Sequence, residues 1–334
     1  MAQSWKGVDW SSTILQESQG RSWKSSNGQT QPLETILKDA GVNTVRQRIW
    51  VNPSGGTYNL DYNIRLGKRA KAAGLAIYLD FHYADDWADP GKQPTPAAWR
   101  NYNIDDLTWK IYNYTKEVMD GFQSNGLALP IVSIGNEIRN GLLWPLGKLD
   151  QNPYNTARLL HSASAAIKDS TISPKPRIML HIDNGWDWGL QQWWYDTVLK
   201  QGPLVASDYD IQGVSYYPFY NEKATLASLQ SSLRQMKSKY NKAIQVVETN
   251  WPTSCSNPSR PFPADVKNIP FSVEGQRQWM QKVAAATSAA GGEGLFYWEP
   301  AWIDNAGLGS SCGWNLMVDN QGRDMGSLNV FQQI

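Results

Sequence analysis

The sequence carries almost no excess of charge: 31 Lys and Arg stand against 30 Asp and Glu, a net charge of +1 over 334 residues. A nucleic-acid partner needs a basic surplus to neutralise phosphates, so none is expected. No apolar run approaches the ~20 residues that cross a bilayer, and no membrane segment is expected either. Cysteine and histidine are scarce. Cys255, Cys312, His82, His161 and His181 show no CxxC or HExxH spacing, which removes the common metal-binding motifs. Taken alone, the two cysteines fit either a disulfide or a thiol. A glycine-rich phosphate loop is missing after the first apolar run, where the chain reads Trp10-Ser11-Ser12; this argues against an open, doubly wound nucleotide-binding sheet. The start, Met1-Ala2-Gln3-Ser4, has neither the basic nor the apolar region of a signal peptide, so a mature N-terminus is expected.

Phenylalanine is scarce as well, with 7 residues against 17 Trp and 15 Tyr. A core built only for burial favours Phe, which brings no polar atom needing a partner. Rings with a polar handle suit sugars, whose C–H patches stack on aromatic faces while their hydroxyls seek hydrogen bonds. Individual Trp residues are as readily core residues, but the excess as a set points to a carbohydrate surface.

Eight apolar, β-rich runs recur along the chain, at 7–10, 44–51, 76–83, 129–137, 177–184, 211–218, 244–251 and 294–302. Several are nearly continuous, as in Ile131-Val132-Ser133-Ile134, which suits parallel strands covered on both faces. Helical spacing lies between them: Leu226, Leu229, Leu233, Met236 and Tyr240 form one stripe, and Leu107, Ile111, Val118 and Phe122 another. Gly41, Gly74 and Gly126 each follow a helical stretch and precede a strand, as helix-ending glycines do. The length would admit two smaller domains. Regular alternation without a linker favours one domain over residues 1–334, an α/β protein of the (β/α)8 TIM barrel class.

Barrel active sites form at the C-terminal ends of the strands. Here those ends read Arg46-Gln-Arg48-Ile-Trp50, Asp80-Phe-His82-Tyr83, Asn136-Glu137, Asp183-Asn184, Ser215-Tyr-Tyr217, Glu248-Thr-Asn250-Trp251 and Tyr297-Trp298-Glu299. Glu137 and Glu248 each follow a buried apolar run, where an unpaired carboxylate is costly. They end strands four and seven, on opposite sides of an eight-membered ring. Retaining glycosidases need two carboxyl groups about 5–5.5 Å apart, one to protonate the leaving oxygen and one to attack the anomeric carbon. Two structural glutamates paired with arginines are the blander alternative.

At these residues the chain resembles the clan A glycoside hydrolases, and within them family 53, the arabinogalactan endo-β-1,4-galactanases of secreted fungal type. The stretches that carry the resemblance include Val45-Arg-Gln-Arg-Ile-Trp-Val, Asp80-Phe-His-Tyr-Ala-Asp-Asp-Trp-Ala-Asp-Pro, Val132-Ser-Ile-Gly-Asn-Glu-Ile-Arg, Gly213-Val-Ser-Tyr-Tyr-Pro-Phe-Tyr and Gly294-Leu-Phe-Tyr-Trp-Glu-Pro-Ala-Trp. The resemblance implies Glu137 as general acid/base and Glu248 as nucleophile of a double displacement. It implies Asn136 on the sugar 2-hydroxyl, and Arg46 beside the nucleophile with Arg48 as the alternative. It also implies Tyr217 as a donor to Glu248, Trp298 as the floor of the reacting subsite, and His82 along the same subsite. Trp87, Asp183 and Asn184 are expected to meet sugar in flanking loops.

The resemblance further implies a secreted monomer acting on the β-1,4-galactan of plant pectin side chains, without cofactor. Bacterial relatives carry calcium after strand eight, but Asn305-Ala-Gly-Leu-Gly-Ser-Ser-Cys312 is poor in carboxylates, and no metal is expected. In a secreted protein Cys255 and Cys312 are expected to pair, tying the loops after strands seven and eight. Asn113-Tyr-Thr115 is a candidate glycosylation site. Three alternatives remain open at this level: another clan A activity such as a mannanase or cellulase, a catalytically silent carbohydrate-binding barrel, and a metal-dependent hydrolase built on His82, Asp85 and Asp86.

Overall fold

The computed structural model describes residues 2–334. Eight parallel strands close a barrel in which each strand pairs with its sequence neighbours and the last pairs with the first. They are β1 (Trp5–Asp9), β2 (Thr44–Ile49), β3 (Ala76–Phe81), β4 (Ile131–Ile134), β5 (Arg177–Ile182), β6 (Ile211–Ser215), β7 (Ala243–Glu248) and β8 (Gly294–Tyr297). Every run read from the sequence holds one strand, but the strands stop earlier. The polar C-terminal ends of most runs belong to loops, and those loops build the upper face.

Two helices, α1 (Thr13–Ser18) and α2 (Leu33–Asp39), follow β1, and a two-stranded hairpin (Trp23–Lys24 with Thr30–Gln31) lies between them. The other strands alternate with α3 (Leu60–Ala72), α4 (Ile104–Ser124), α5 (Pro153–Asp169), α6 (Trp188–Leu199), α7 (Leu226–Tyr240) and α8 (Val273–Ala289). Each of these six opens on a side chain that accepts a backbone N–H of the first turn: Asn59, Asn103, Asn152, Asp187, Thr225 and Ser272 in order. No α-helix follows β8 among the described residues. A 3₁₀ segment, Ser327–Gln332, packs there instead, and Lys6 Nζ donates to the carbonyl of Phe331 at 2.6 Å. This explains Gly41 twice over. Its φ of +94° suits glycine, and a Cβ would come within 2.9 Å of the Phe331–Gln332 backbone.

Alternation along each strand sorts side chains into two cores. Tyr78, Ile131, Met179, Ile211, Val247 and Phe296 fill the barrel, while residues such as Val45, Ile49, Val132 and Ile182 face the helices. Arg46, Arg48, Asp80 and His181 share the inward parity and form the layer above the inner core. One strand breaks the rule. The β6–β7 register jumps from Val214↔Val246 to Ser215↔Glu248, so Val247 is an extra residue. This bulge turns Val247 and Glu248 both to the inside, and without it Glu248 would face α7 and α8. No helix is long and apolar enough to cross a membrane among the described residues.

Candidate active site

A cleft of about 440 Å³ opens at the C-terminal ends of the strands. Its lining includes Glu137, Glu248 and all nine residues expected to meet substrate: Arg46, Arg48, His82, Trp87, Asn136, Asp183, Asn184, Tyr217 and Trp298. The sequence expectation and the geometry thus converge on one place.

Glu248 is the better-held carboxyl. Arg46 Nη1 lies 2.9 Å from its Oε1, and the Tyr217 hydroxyl donates to its Oε2 at 2.8 Å. Burial pushes the acid up to about 7, against the pull of Arg46 and Tyr217 toward the charged form. Glu137 stands one residue past Asn136 on the exit of β4, with a φ of +48°. A left-handed Glu is uncommon and costs backbone energy, and here it turns the chain so that the side chain enters the cleft. Burial raises Glu137 well above an ordinary carboxyl, and the Glu248 and Asp183 charges raise it further, while Ser215 and Arg46 pull weakly the other way. The two carboxyls therefore differ in kind: one is braced as an anion, the other is driven to keep its proton.

Arg46 organises this layer. Besides Glu248 it reaches Asp9 at 3.0 Å, Asp80 at 2.9 Å and the Asn136 side-chain oxygen at 2.7 Å. Asn136 Nδ2 donates to the carbonyl of Ala88 at 2.7 Å. One of its two N–H bonds is thereby used and the other remains for a ligand. His82 is equally constrained. Its Nδ1 accepts from Trp50 Nε1 and the amide of Ala88, both at 3.2 Å, so the proton belongs on Nε2, 3.2 Å from Asp80. Burial lowers its pKa and keeps it neutral.

Arg48 does not serve as the alternative partner of Glu248. Its Nη1 lies 2.7 Å from Glu299 and 3.4 Å from Asp9, and its guanidinium packs 4.2 Å from the Tyr58 ring and 4.6 Å from that of Trp87. It braces the aromatic wall, where Trp87 stacks on Trp302 at 6.0 Å and meets Trp298 edge-on at 6.2 Å. Asp183, pushed up to about 6 by burial, is met by Arg139 at 3.1 Å and by Asn184 Nδ2 at 2.9 Å.

Sequence reasoning assigned no role to Asp9, Asp80, Ser215, Tyr220 or Glu299. Asp9 and Asp80 are polar residues of inward parity within otherwise apolar runs, a signal the strand-end test can register. Glu299 is wholly buried, accepts from the Ser12 hydroxyl at 2.6 Å and is pushed up to about 7 by burial. Nothing in its local sequence announces that pairing. Cys255 and Cys312 form a disulfide between the loops after β7 and β8. Asn113 is exposed on α4, while the Thr115 hydroxyl is buried against the Tyr83 hydroxyl at 2.8 Å. The metal-dependent alternative lacks its ligand set: among the described residues no three His, Cys, Asp or Glu side chains group so as to hold an ion.

A parallel barrel whose upper cleft is walled by Trp and Tyr and holds one buried and one half-buried carboxyl of opposite character has the build of a glycoside hydrolase. Residues 5–331 match the model of glycosyl hydrolase family 53, and the chain belongs to that family. It is 60% identical over 334 residues to the arabinogalactan endo-β-1,4-galactanase of Thermothelomyces thermophilus, and 58% identical over 334 residues to that of Humicola insolens, covering 100% of both partners in each case. Among solved structures, one of two fungal β-1,4-galactanases matches with a TM-score of 0.98 at 59% identity over 100% of both chains. The family 53 catalytic domain of Ignisphaera aggregans matches with a TM-score of 0.86 at 29% identity, over 99% of this chain and 96% of that one.

Proposed function

We propose that this chain is an endo-β-1,4-galactanase that cleaves galactan side chains of plant pectin by retaining double displacement. Substrate and linkage follow from relatives alike over their full length. The mechanism rests on one observation: Glu248 is braced by Arg46 and Tyr217, whereas Glu137 faces the charges of Glu248 and Asp183. Glu137 gives its proton to the glycosidic oxygen as Glu248 attacks the anomeric carbon. Once Glu248 is esterified its charge is gone, the pKa of Glu137 falls, and the resulting carboxylate takes a proton from the water that hydrolyses the ester. Neither step calls for a cofactor. Trp298 forms the floor beneath the reacting ring, the remaining N–H of Asn136 meets its 2-hydroxyl, and His82 lines the same subsite. Trp87, Asp183 and Asn184 meet neighbouring sugars.

The enzyme acts as a secreted monomer. A disulfide suits an oxidising compartment. Glycosylation at Asn113 is compatible with its exposure on α4. The test is release of reducing ends from linear β-1,4-galactan, run beside β-1,4-mannan and cellulose, with Glu248→Gln as control. Turnover of galactan alone, abolished in the variant, is the expected result. Turnover of mannan or cellulose instead would overturn the substrate. Galactan turnover undiminished in Glu248→Gln would overturn the nucleophile.

A further inference from the structure

Trp109 stands on the outside of the barrel, on α4, and takes no part in lining the cleft. Its side chain is 65% exposed, the highest figure for any large apolar residue among the described residues. A single exposed ring needs no explanation, but this one is held in place. Tyr112, one turn on, meets the Trp109 ring edge-on at 5.8 Å with the planes at 76°, and the Tyr112 hydroxyl donates to Asp169 at the end of α5 at 2.8 Å. On the turn before, Asp105 is engaged by Arg158 of α5 at 2.6 Å. The indole is propped by a ring that is itself tied to the next helix, while most of its own surface stays open.

The same helix carries the chain's one Asn-X-Ser/Thr triplet with X other than proline, Asn113-Tyr114-Thr115. Asn113 is exposed and lies four residues after Trp109, which on an α-helix puts the two Cβ atoms about 5–6 Å apart on one face. Helical side chains lean toward the N-terminus, so the Asn113 amide reaches back over the turn that holds Trp109. We propose that Trp109, propped by Tyr112, is a built platform for the first sugar of a glycan carried by Asn113. An N-acetylglucosamine linked to Nδ2 begins within reach of the indole. It offers the ring an apolar C–H face and an acetyl methyl, and keeps its hydroxyls in water. The contact removes apolar surface of both partners from solvent.

The transfer joins Asn113 Nδ2 to C1 of the sugar and breaks the bond between C1 and the pyrophosphate of a lipid-linked oligosaccharide donor. The lipid pyrophosphate leaves, and one amide proton passes to a base of the transferase. Thr115 sets the timing. Its hydroxyl, which the acceptor triplet must present, is buried in the folded protein at 2.8 Å from the Tyr83 hydroxyl, so transfer precedes the packing of α4. Trp109 and the sugar meet afterwards, when the helix brings residues four apart onto one face. The inference rests on the reading of the chain as secreted, because this transfer belongs to the secretory route.

The test uses the full chain secreted from a glycosylating eukaryotic host behind that host's own leader, so that native secretion and the platform fail separately. Wild type, Trp109→Ala, Asn113→Gln and the double variant are trimmed enzymatically to a single N-acetylglucosamine. Intact mass is expected to show that sugar on wild type and Trp109→Ala, and none on the two proteins that lack Asn113. Hydroxyl-radical oxidation of Trp109, read by peptide mass spectrometry, should fall in wild type relative to Asn113→Gln. Trp109→Ala should lower the melting temperature by roughly 1–2 °C more with the sugar than without it, the size expected for about 50 Å² of apolar contact in a protein of this length. Galactan turnover should be equal in all four, since Trp109 and Asn113 lie outside the cleft. An unmodified Asn113 in secreted wild type overturns the site. A modified Asn113 with equal oxidation of Trp109, or with additive melting shifts, overturns the platform. Should Asn113→Gln not fold, enzymatic release of the sugar from folded wild type supplies the bare comparison.

Discussion

Arg46 Nη1 sits 2.9 Å from Glu248 Oε1 with both side chains nearly sealed from water, and the same guanidinium is shared with Asp9, Asp80 and Asn136. A planar fork with several N–H bonds can serve four acceptors, whereas a lysine ammonium on a flexible stem cannot hold the same geometry. Arg46→Lys is therefore expected to lower kcat/KM on galactan by roughly 10²-fold, an estimate matched to the loss of two or so charge-assisted hydrogen bonds. Arg46→Met leaves buried carboxylates without their cation and should cost about 3–5 kcal/mol in a urea melt. A fully active Arg46→Lys enzyme would remove Arg46 from the support of Glu248.

The pH dependence follows from the same asymmetry. Glu248 must be ionised to attack, so activity falls as pH drops through its value of about 7. Glu137 must be protonated to act as acid, so activity falls again as pH rises past its own, strongly elevated value. A kcat/KM profile on galactan should be a bell lying on the neutral to alkaline side. Tyr217→Phe removes the donor at 2.8 Å that favours the Glu248 anion. It should shift the acid limb upward, by roughly one pH unit, and leave the basic limb nearly in place. Movement of the basic limb alone would mean that the two carboxyls have been assigned the wrong way round.

Much of this site was legible before any coordinates. The eight strand positions and the roles of Gly41, Gly74 and Gly126 follow from periodicity and helix termination, and the three glycines do adopt positive φ. Residues at strand ends are legible because a barrel gathers them in one place whatever the loops do. The bulge at Val247 is not legible, since strict alternation would send Glu248 outward and nothing in Gln245-Val-Val-Glu marks an extra residue. Nor is the division of labour between Arg46 and Arg48, which share parity two residues apart. It is decided by which neighbours stand beside them, Glu248 across the cleft or Glu299 after β8. The absence of an eighth helix among the described residues is not legible either, because Ser327–Gln332 carries too short a pattern to tell a 3₁₀ turn from a helix.

Holding an acid in the cleft should also be visible in stability. The folded pKa of Glu137 is raised above its unfolded value near 4.3, so its contribution is fully present below that pH and is lost as pH rises toward the folded pKa. Glu137→Gln removes the group that resists ionisation. Relative to wild type, the variant should be no more stable near pH 4 and increasingly more stable as pH rises above about 5. Calorimetric melts of both proteins across that range provide the check. A constant difference in melting temperature at all pH values would show that Glu137 is not titrating abnormally.

The disulfide makes a separate demand on the loops. Cys255 and Cys312 are 57 positions apart and join the segments that follow β7 and β8. Hydrogen bonds run beside it, from the amide of Thr253 to the Trp314 carbonyl at 2.7 Å and from that of Gly313 to the Ser254 carbonyl at 3.0 Å. A cross-link of that span constrains the unfolded chain by about 4 kcal/mol in the loop-entropy account. For a protein of this size that corresponds to roughly 6 °C in melting temperature. Glu137 and Glu248, by contrast, are positioned by β4, β7 and the Arg46 layer, none of which passes through the bridged loops. The Cys255→Ala, Cys312→Ala double variant should therefore melt several degrees lower yet keep kcat on galactan at 25 °C within about twofold. KM is the parameter free to rise, because Leu308, in the loop that the bridge restrains, lines the cleft. An unchanged melting temperature would mean that the neighbouring backbone bonds fix these loops without the bridge, and a collapse of kcat would mean that the bridged loops help to aim the carboxyls.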